Sequence, residues 1–338
     1  MSKRIARNTI ELTTPPSVAA YASVVGKKEG EGPLAEHFDV VCDDTTFGEQ
    51  TWEKAESRMQ KDAASKALIK AGLSPADIDV LFAGDLLNQG IASTFGLRDL
   101  DIPFVGLYGA CSTMAESLAM AALFVDNSLA LNTMAITSSH FCSAERQFRL
   151  PLEYGGQRTP TAQWTATASG AVVLNTGKKA PFIRAVTIGK IQDLGIKDTN
   201  NMGAAMAPAA YDTILQHLSN SSQTPESFDL ILTGDLGQVG TDLLRELLMR
   251  DGIDISQRHN DCGLMIYDRA SQDVHAGGSG CGCSASVLCG YILKQVESGA
   301  LKDVLFVATG ALMSPTSTQQ GESIPGIAHA VHISNTAQ

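Results

Sequence analysis

The sequence predicts an α/β fold built from two similar halves. Three observations indicate this fold: a repeated apolar stretch, a glycine-rich turn that opens a helix in each half, and a composition rich in small residues. Of the 338 residues, 44% are hydrophobic, 18% are charged and only 6% are aromatic, whereas 31 are glycine. A chain of this length exceeds a typical single domain, so two core units are expected.

The repeat is clearest in two apolar stretches. Residues 79–86 (DVLFAGDL) match residues 229–236 (DLILTGDL), and both read as strands buried on two faces of a parallel sheet. In the first half an elbow at 109–113 (GACST) opens a helix to Val125, and a strand follows at 133–137. In the second half an elbow at 280–284 (GCGCS) opens a helix to Val296, followed by a strand at 304–309. This shared order indicates a duplication.

The remaining elements follow from local signals. Residues 3–10 are predicted as a first strand and residues 26–32 as a charged, glycine-rich loop. Residues 52–71 predict an amphipathic helix that Gly72 ends, and a turn at 74–77 precedes the first repeated strand. Residues 195–211 predict a loop and then a helix that begins near Pro208. The turn-rich stretch 175–181 (NTGKKAP) places the boundary between halves of 1–178 and 179–338.

Composition also excludes several classes of protein. The net charge is −11 and no long run of Lys or Arg occurs, so nucleic acid is not an expected partner. No stretch reaches the roughly 18 apolar residues of a membrane span, and no secretory signal follows the basic N-terminus. The seven cysteines are an odd number and lie mostly in apolar or glycine-rich stretches, which favours reduced thiols in the cytoplasm.

Cys111 is the first candidate for chemistry. It lies in the first elbow, where a strand is expected to lead into a buried helix. The positive end of a helix dipole would lower the pKa of the thiol and favour the thiolate, and nearby N–H groups would stabilise an oxyanion. The alternative is a small apolar residue packed at the helix start, and position alone leaves both interpretations open.

The two elbows and the duplicated halves resemble the thiolase and β-ketoacyl-synthase superfamily. More closely, the chain resembles the stage V sporulation protein AD family of spore-forming bacteria. The segments that carry this resemblance are 43–48 (DDTTFG), 84–89 (GDLLNQ), 106–112 (GLYGACS), 137–149 (TSSHFCSAERQFR), 161–165 (TAQWT) and the elbow at 277–286. The resemblance implies a thiolase-like fold, similar to β-ketoacyl synthase III, with five layers in the order α-β-α-β-α.

The resemblance also implies a function. Proteins of this family belong to the dipicolinic acid channel system, so the chain is expected to bind dipicolinic acid (pyridine-2,6-dicarboxylate) for its uptake into the developing spore. The expected partners are the membrane subunits of that channel. The expected location is the cytoplasm or forespore, with attachment to the spore inner membrane through those partners. Superfamily members pair through the strand after the cysteine helix, which predicts a homodimer through residues 133–137.

Two catalytic partners of the condensing enzymes are missing. The resemblance places a histidine after the strand 231–233 and an asparagine near 279–283, but this chain has Asp235 and no Asn between Asn260 and Asn335. A carboxylate cannot donate to an oxyanion, so no catalytic residues are expected. The alternative is an acyltransferase or thioesterase that acts on acyl-CoA or acyl-carrier thioesters, with Cys111 as nucleophile and His140 as base.

Seven residues are predicted to form the ligand site. Arginine matches a carboxylate with two hydrogen bonds, and three arginines are candidates with no means of choosing among them. The alternative for the pair Glu145 and Arg149 is a solvated ion pair on one helical face. No cofactor is expected, and Ca²⁺ enters only as a companion of the ligand. Because the spacing of Cys281, Cys283, Cys289 and His275 is poor for zinc, no metal site is predicted. The predicted ligand-binding residues are Cys111, His140, Arg146, Arg149, Arg158, Asp235 and Ser279.

Overall fold

The structure, a computed structural model, describes residues 2–148 and 158–337. Its strands are β1 (Lys3–Arg4), β2 (Thr9–Glu11), β3 (Ser17–Gly26), β4 (Val40–Cys42), β5 (Val80–Gly84), β6 (Phe104–Gly106), β7 (Asn132–Ser139), β8 (Trp164–Thr165), β9 (Ala168–Asn175), β10 (Phe182–Thr187), β11 (Leu230–Thr233), β12 (His259–Asp261), β13 (Gly278–Ser279), β14 (Asp303–Ala311) and β15 (Gly326–Ser334).

The helices are α1 (Lys27–Gly30), α2 (Trp52–Ala71), α3 (Ile91–Leu97), α4 (Thr113–Asp126), α5 (Phe141–Phe148), α6 (Met202–Ser221), α7 (Gly237–Arg250), α8 (Cys262–Met265), α9 (Cys281–Val287), α10 (Leu293–Glu297) and α11 (Pro315–Gln319). A π-helical turn (Leu288–Ile292) joins α9 to α10, so the second elbow opens one long helix.

The two halves have the same sheet topology, which confirms the predicted duplication. In the first half the strands lie in the order β6-β5-β7-β9-β3, and in the second in the order β12-β11-β14-β15-β10. In each half the first three strands of this order are parallel to one another. Each of the last two strands is antiparallel to the strand before it. A single register pair, Ser17 opposite Phe182, joins β3 to β10.

The repeat extends to individual hydrogen bonds. A capping box precedes the first repeated strand at Ser74 and the second at Thr224. Asp79 accepts from the backbone N–H groups of residues 131 and 132, and Asp229 accepts from those of residues 302 and 303. Each aspartate therefore ties its own strand to the start of the neighbouring strand, at equivalent places in the two halves.

Helices separate and cover the two sheets in five layers, as predicted. The central layer holds α4, which contacts β5 and β7 on one side and β14 and β15 on the other, together with α9. The outer face of the first sheet packs on α2, and the outer face of the second packs on α6 and α7. Both elbows begin helices of the central layer, which brings them to the same region of the molecule.

Three local predictions need correction. Residues 3–10 form two short strands instead of one, and α1 occupies part of the predicted loop at 26–32. Helix α6 begins at Met202 rather than near Pro208, because the Asn201 side chain caps it by accepting from the Ala204 N–H at 3.4 Å. Pro208 lies inside the helix, so a proline near a predicted helix start does not fix where that start is.

The predicted dimer contact through residues 133–137 is wrong. These residues lie in β7, whose two edges are already paired with β5 and β9. A strand with both edges occupied has no backbone groups left for a second copy. The free edge on this side of the sheet belongs to β6, and all three of its residues are exposed.

The helix predicted over residues 52–71 is confirmed, and its buried face carries a carboxylate. Gly72 ends α2 in the left-handed conformation with φ 67°. Glu56 is fully buried and accepts hydrogen bonds from the Ser138 hydroxyl at 3.0 Å and the Ser143 hydroxyl at 2.7 Å. Burial, and then the neighbouring Asp85, raise the pKa of Glu56 well above its usual range.

This shift predicts a pH-dependent stability. A carboxyl whose pKa is raised on folding stabilises the fold below its unfolded pKa, and this contribution is lost as the pH rises through the folded pKa. The substitution Glu56→Gln removes the titration, so the variant should gain stability relative to the wild type between pH 5 and pH 9. The gain should be about 1.4 kcal/mol for each unit of pKa shift. Urea unfolding at both pH values measures it, and a difference that does not change with pH would contradict it.

Candidate functional site

Cys111 projects from a strained turn at the first elbow. Ala110, which precedes it, has a left-handed φ of 49°, a conformation that an alanine rarely adopts. The turn is fixed by the Ser112 hydroxyl, which donates to the Gly109 carbonyl at 2.7 Å, and α4 begins at Thr113. Cys111 is 5% exposed and contacts a cavity, so the elbow presents its thiol to a small space.

Asp235 lies beside Cys111 and is saturated with hydrogen-bond donors. The carboxylate accepts from the Gly280 N–H at 2.8 Å, the Thr309 hydroxyl at 2.9 Å and the Ser279 hydroxyl at 3.2 Å. The Cys111 thiol lies close enough for the charge of Asp235 to act on it. Gly280 has a φ of 103°, which a side chain would disfavour, so glycine at this position allows the N–H to reach the carboxylate.

The electrostatics of this cluster keep Cys111 protonated. Burial, followed by the charge of Asp235, raises the pKa of the Cys111 thiol well above its ordinary value. Burial also raises the pKa of Asp235, to about 6, although its hydrogen bonds oppose that rise. Asp235 is therefore ionised at pH 7.5. Of the two interpretations that position alone leaves open, the raised pKa favours a packed, protonated thiol over a thiolate.

A second buried aspartate positions the first. Asp261 ends β12 and accepts from the backbone N–H groups of Leu236 at 2.8 Å and Gly237 at 3.0 Å, directly after Asp235. Gln163 supports the other side by donating to the backbone carbonyls of Asp235 and Gly278, both at 2.7 Å. Nothing in the local sequence marks Asp261. Gln163 lies in the segment 161–165 that carries the resemblance, but its role beside Asp235 arises from the pairing of β8 with β13.

The cavity at Cys111 is small and mostly apolar. It measures about 30 Å³, room for about two water molecules. Its one charged side chain among the described residues is that of Glu145, which is nearly buried. The sequence analysis missed the apolar residues that shape it. The lining residues are Leu86, Tyr108, Ala110, Cys111, Ala144, Glu145, Phe148, Thr165, Met202, Ser279, Ala311 and Met313.

Three of the predicted ligand residues meet at this place, namely Cys111, Asp235 and Ser279. His140 does not line the cavity. Its Nε2 lies 2.8 Å from the Thr45 carbonyl and its Nδ1 accepts from the Cys142 N–H at 3.2 Å, so both ring nitrogens have partners. Burial lowers the pKa of His140, which keeps the ring neutral. The structure thus gives His140 no contact with Cys111.

The predicted arginines lie elsewhere. Arg146 pairs with Glu53 in a surface groove between α2, α3 and α5. Arg158 donates to the Asp273 carbonyl at 2.6 Å and stacks over the ring of Trp164. Arg149 falls outside the described residues. Neither described arginine of the predicted set reaches the Cys111 cavity.

The cysteines of the second elbow serve packing. The Cys281 thiol donates to the Ser138 carbonyl at 2.9 Å, and Cys289 lies 3.6 Å from the Ala171 carbonyl. Within residues 2–148 and 158–337, no group of three or more His, Cys, Asp or Glu side chains is arranged to hold a metal ion.

The duplicated five-layer fold, with a cysteine elbow facing a second glycine-rich elbow, defines a thiolase-like protein. Its fold is similar to that of 3-oxoacyl-[acyl-carrier-protein] synthase III from Aquifex aeolicus VF5, with a TM-score of 0.58 and 13% identity over 94% of this chain and 99% of that one. It is also similar to cerulenin-bound OleA from Xanthomonas campestris, with a TM-score of 0.61 and 14% identity over 95% of this chain and 96% of that one. Identities this low show a common fold and no more.

The family follows from closer sequence matches. The family model described as stage V sporulation protein AD matches residues 6–334. A protein of that name from Bacillus subtilis (strain 168) is 48% identical over 317 residues, which cover 94% of each chain. The chain belongs to the stage V sporulation protein AD family, and it is a sporulation protein with a thiolase-like fold.

Removal of the Asp235 charge should make Cys111 more reactive. In Asp235→Asn the thiol loses an adjacent carboxylate, so its pKa should fall and its alkylation by iodoacetamide at pH 8 should accelerate, by about tenfold for each unit of pKa. Mass spectrometry of the Cys111 peptide over time gives the rate. Asp85→Asn, which changes the equivalent buried carboxylate of the first half, is the matched control and should leave the rate unchanged. Equal alkylation rates in the wild type and Asp235→Asn would contradict the claim that the charge of Asp235 raises the pKa of Cys111.

Proposed function

We propose that this chain is a non-catalytic protein of sporulation that binds dipicolinic acid in the Cys111 cavity. One observation carries the proposal: a cavity at the elbow of a thiolase-like fold contains a cysteine that burial, and then an adjacent carboxylate, keep protonated. The fold retains a place for a small molecule, whereas the thiol is protonated and His140 is engaged elsewhere. The resemblance on which dipicolinic acid was expected supports the choice of ligand.

The lining of the cavity suits a planar ring. Tyr108 and Phe148 supply aromatic faces, and Met202 and Met313 are flexible side chains at the same wall. A space of about 30 Å³ is too small for a pyridine dicarboxylate, so binding requires the methionines or Phe148 to turn aside. The Ser279 hydroxyl is on the cavity wall, and it would have to turn away from Asp235 to donate to a ligand carboxylate.

The charges around the cavity favour a neutralised ligand. Glu145 lines the cavity and Asp235 lies behind Cys111, while the described lining includes no Lys or Arg. A free dianion would meet the like charge of Asp235, whereas the calcium chelate of dipicolinate has its carboxylates neutralised. Ca²⁺ therefore enters as a companion of the ligand and not as a resident metal of the protein.

If dipicolinate binds in the Cys111 cavity, its affinity should depend on the volume of the cavity and not on the Cys111 thiol. Ala311→Leu fills the cavity and should abolish binding, whereas Cys111→Ser keeps the space and should bind within about threefold of the wild type. Calorimetry with dipicolinate in the presence and absence of Ca²⁺ measures both, and the chelate should bind more tightly. The wild type should bind saturably at sub-millimolar ligand. Absence of such binding, or equal binding by Ala311→Leu, would refute the proposal.

The alternative is a Cys111-dependent acyltransferase or thioesterase with His140 as base. The protonated thiol and the engaged ring nitrogens of His140 argue against it. Incubation with a panel of acyl-CoA and acyl-carrier thioesters, followed by mass spectrometry, distinguishes the two functions. An acyl adduct on Cys111 that is absent in Cys111→Ser would support the enzyme, and an unmodified protein would support the binding protein.

The protein is further proposed to act as a homodimer that pairs through β6 instead of β7. The free edge of β6 carries Phe104 and Val105, exposed apolar residues that a second copy would bury. Tyr108, three residues after Val105, lines both the Cys111 cavity and a groove beside β6, so pairing here would adjoin the cavity.

The membrane subunits of the spore dipicolinate channel are the proposed partners of this dimer. They would hold it at the spore inner membrane, on the cytoplasmic or forespore side. Among the described residues, no helix is long and apolar enough to cross a membrane.

The dimer surface can be tested with a matched pair of variants. Val105→Asp places a charge on the β6 edge and should dissociate the dimer at micromolar concentration. Val40→Asp is the control, because Val40 lies on the separate edge strand β4 and is 37% exposed, against 38% for Val105. This variant should remain a dimer. Sedimentation velocity measures the outcome. A monomeric wild type would contradict the dimer, and a dimer of Val105→Asp would contradict the surface.

A further inference from the structure

Trp164 carries two cations on one face of its ring. The Lys28 ammonium lies 4.0 Å and the Arg158 guanidinium 4.7 Å from the ring centroid. Phe141 stacks on Trp164 with centroids 3.8 Å apart and planes at 11°, which leaves no room for another group on that face. Both cations therefore share the opposite face, where their charges repel and the indole only partly compensates.

One loop anchors the main chain at Lys28 and the side chain of Arg158. Gln272 donates to the Lys28 carbonyl at 2.7 Å, and Arg158 donates to the Asp273 carbonyl at 2.6 Å, so one loop anchors the two residues. Asp273 itself is shared, since one of its carboxylate oxygens lies 3.3 Å from Arg158 and 2.9 Å from His275.

The charge of this cluster is not balanced. Asp273 offsets one of the two cations, and the Lys28 ammonium forms no ion pair or hydrogen bond with residues 2–148 or 158–337. Glu29, whose carboxylate is near Lys28, is buried and accepts hydrogen bonds from the Tyr267 hydroxyl and the Thr167 N–H. Burial raises the pKa of Glu29, which disfavours the charged form that would balance Lys28. The Arg158 Nη1 atom is buried and has no partner in the described part of the chain. Such a donor beside an unpaired ammonium fits an oxygen anion.

We propose that Lys28 and Arg158, over the free face of Trp164, bind an oxyanion such as phosphate or a carboxylate. The site is separate from the Cys111 cavity. Trp164 and Thr165 are consecutive in β8 and point to opposite faces, and Thr165 lines the cavity whereas Trp164 does not. The oxyanion would bridge the Lys28 ammonium and the Arg158 Nη1 donor. This position is on the face of the two-stranded sheet of β8 and β13 that points away from the cavity. This inference does not rest on the proposed function.

The chain contains two tryptophans, so Trp52→Phe makes Trp164 the sole fluorescent reporter. Titration of this variant with inorganic phosphate, at ionic strength held constant with chloride, should change the emission saturably. Lys28→Met in the same background should weaken binding about tenfold or more, because a charge-assisted hydrogen bond is lost. Lys27→Met is the matched control, since Lys27 is more exposed and faces Glu31 at 4.0 Å, and it should bind like the parent.

Two further arms make the outcome decisive. Calorimetry with phosphate repeats the measurement without fluorescence, and no saturable binding by either method would overturn the site. Equal weakening by Lys28→Met and Lys27→Met would also overturn it, because it would indicate diffuse electrostatics. Ala311→Leu should retain phosphate binding, which separates this site from the cavity. Dipicolinate titrated into Ala311→Leu distinguishes the two sources of the oxyanion. A fluorescence change that Lys28→Met removes would indicate that the site binds an organic carboxylate. No such change would indicate that it binds phosphate.

Discussion

The contact of Asp235 with Cys111 determines what this fold can do. Asp235 belongs to the second half and Cys111 to the first, and the carboxylate also binds the start of α9 and the end of β14. The carboxylate therefore joins the two halves and places a negative charge beside the Cys111 thiol, where a second negative charge is disfavoured.

The duplication explains how such a residue arises without a change of fold. Asp85 and Asp235 follow equivalent strands in the two halves, yet they have different roles. Asp85 accepts from the Ser93 hydroxyl and N–H at 2.6 and 2.8 Å and supports the start of α3, beside the buried Glu56. Asp235 contacts the cysteine elbow instead, because the central layer brings the two elbows together and leaves the outer helices apart.

The sequence predicted the features that local chemistry determines. The bounds of α2, the glycine that ends it, the repeated strands and the duplicated order all follow from short-range pattern. Strand β3, rich in alanine and serine, was missed because it has neither alternation nor a bulky apolar run. The site was predicted only in part. Cys111 and Ser279 are marked by the elbows and Asp235 by the repeated strand before it. The surroundings of Arg146 and Arg158 depend on residues far away in the chain. The sequence left the protonation state of Cys111 open for a related reason, since burial is a tertiary property.

The Cys111 cavity is proposed to bind its ligand without chemistry at Cys111. A crystal structure of the complex with dipicolinate and Ca²⁺ tests this claim most directly. The account predicts density for the pyridine ring beside Cys111, no covalent bond to the Cys111 sulfur, and the hydrogen bonds of Asp235 to Gly280 and Thr309 unchanged. A covalent adduct on Cys111, or a ligand bound elsewhere with the cavity closed, would contradict it.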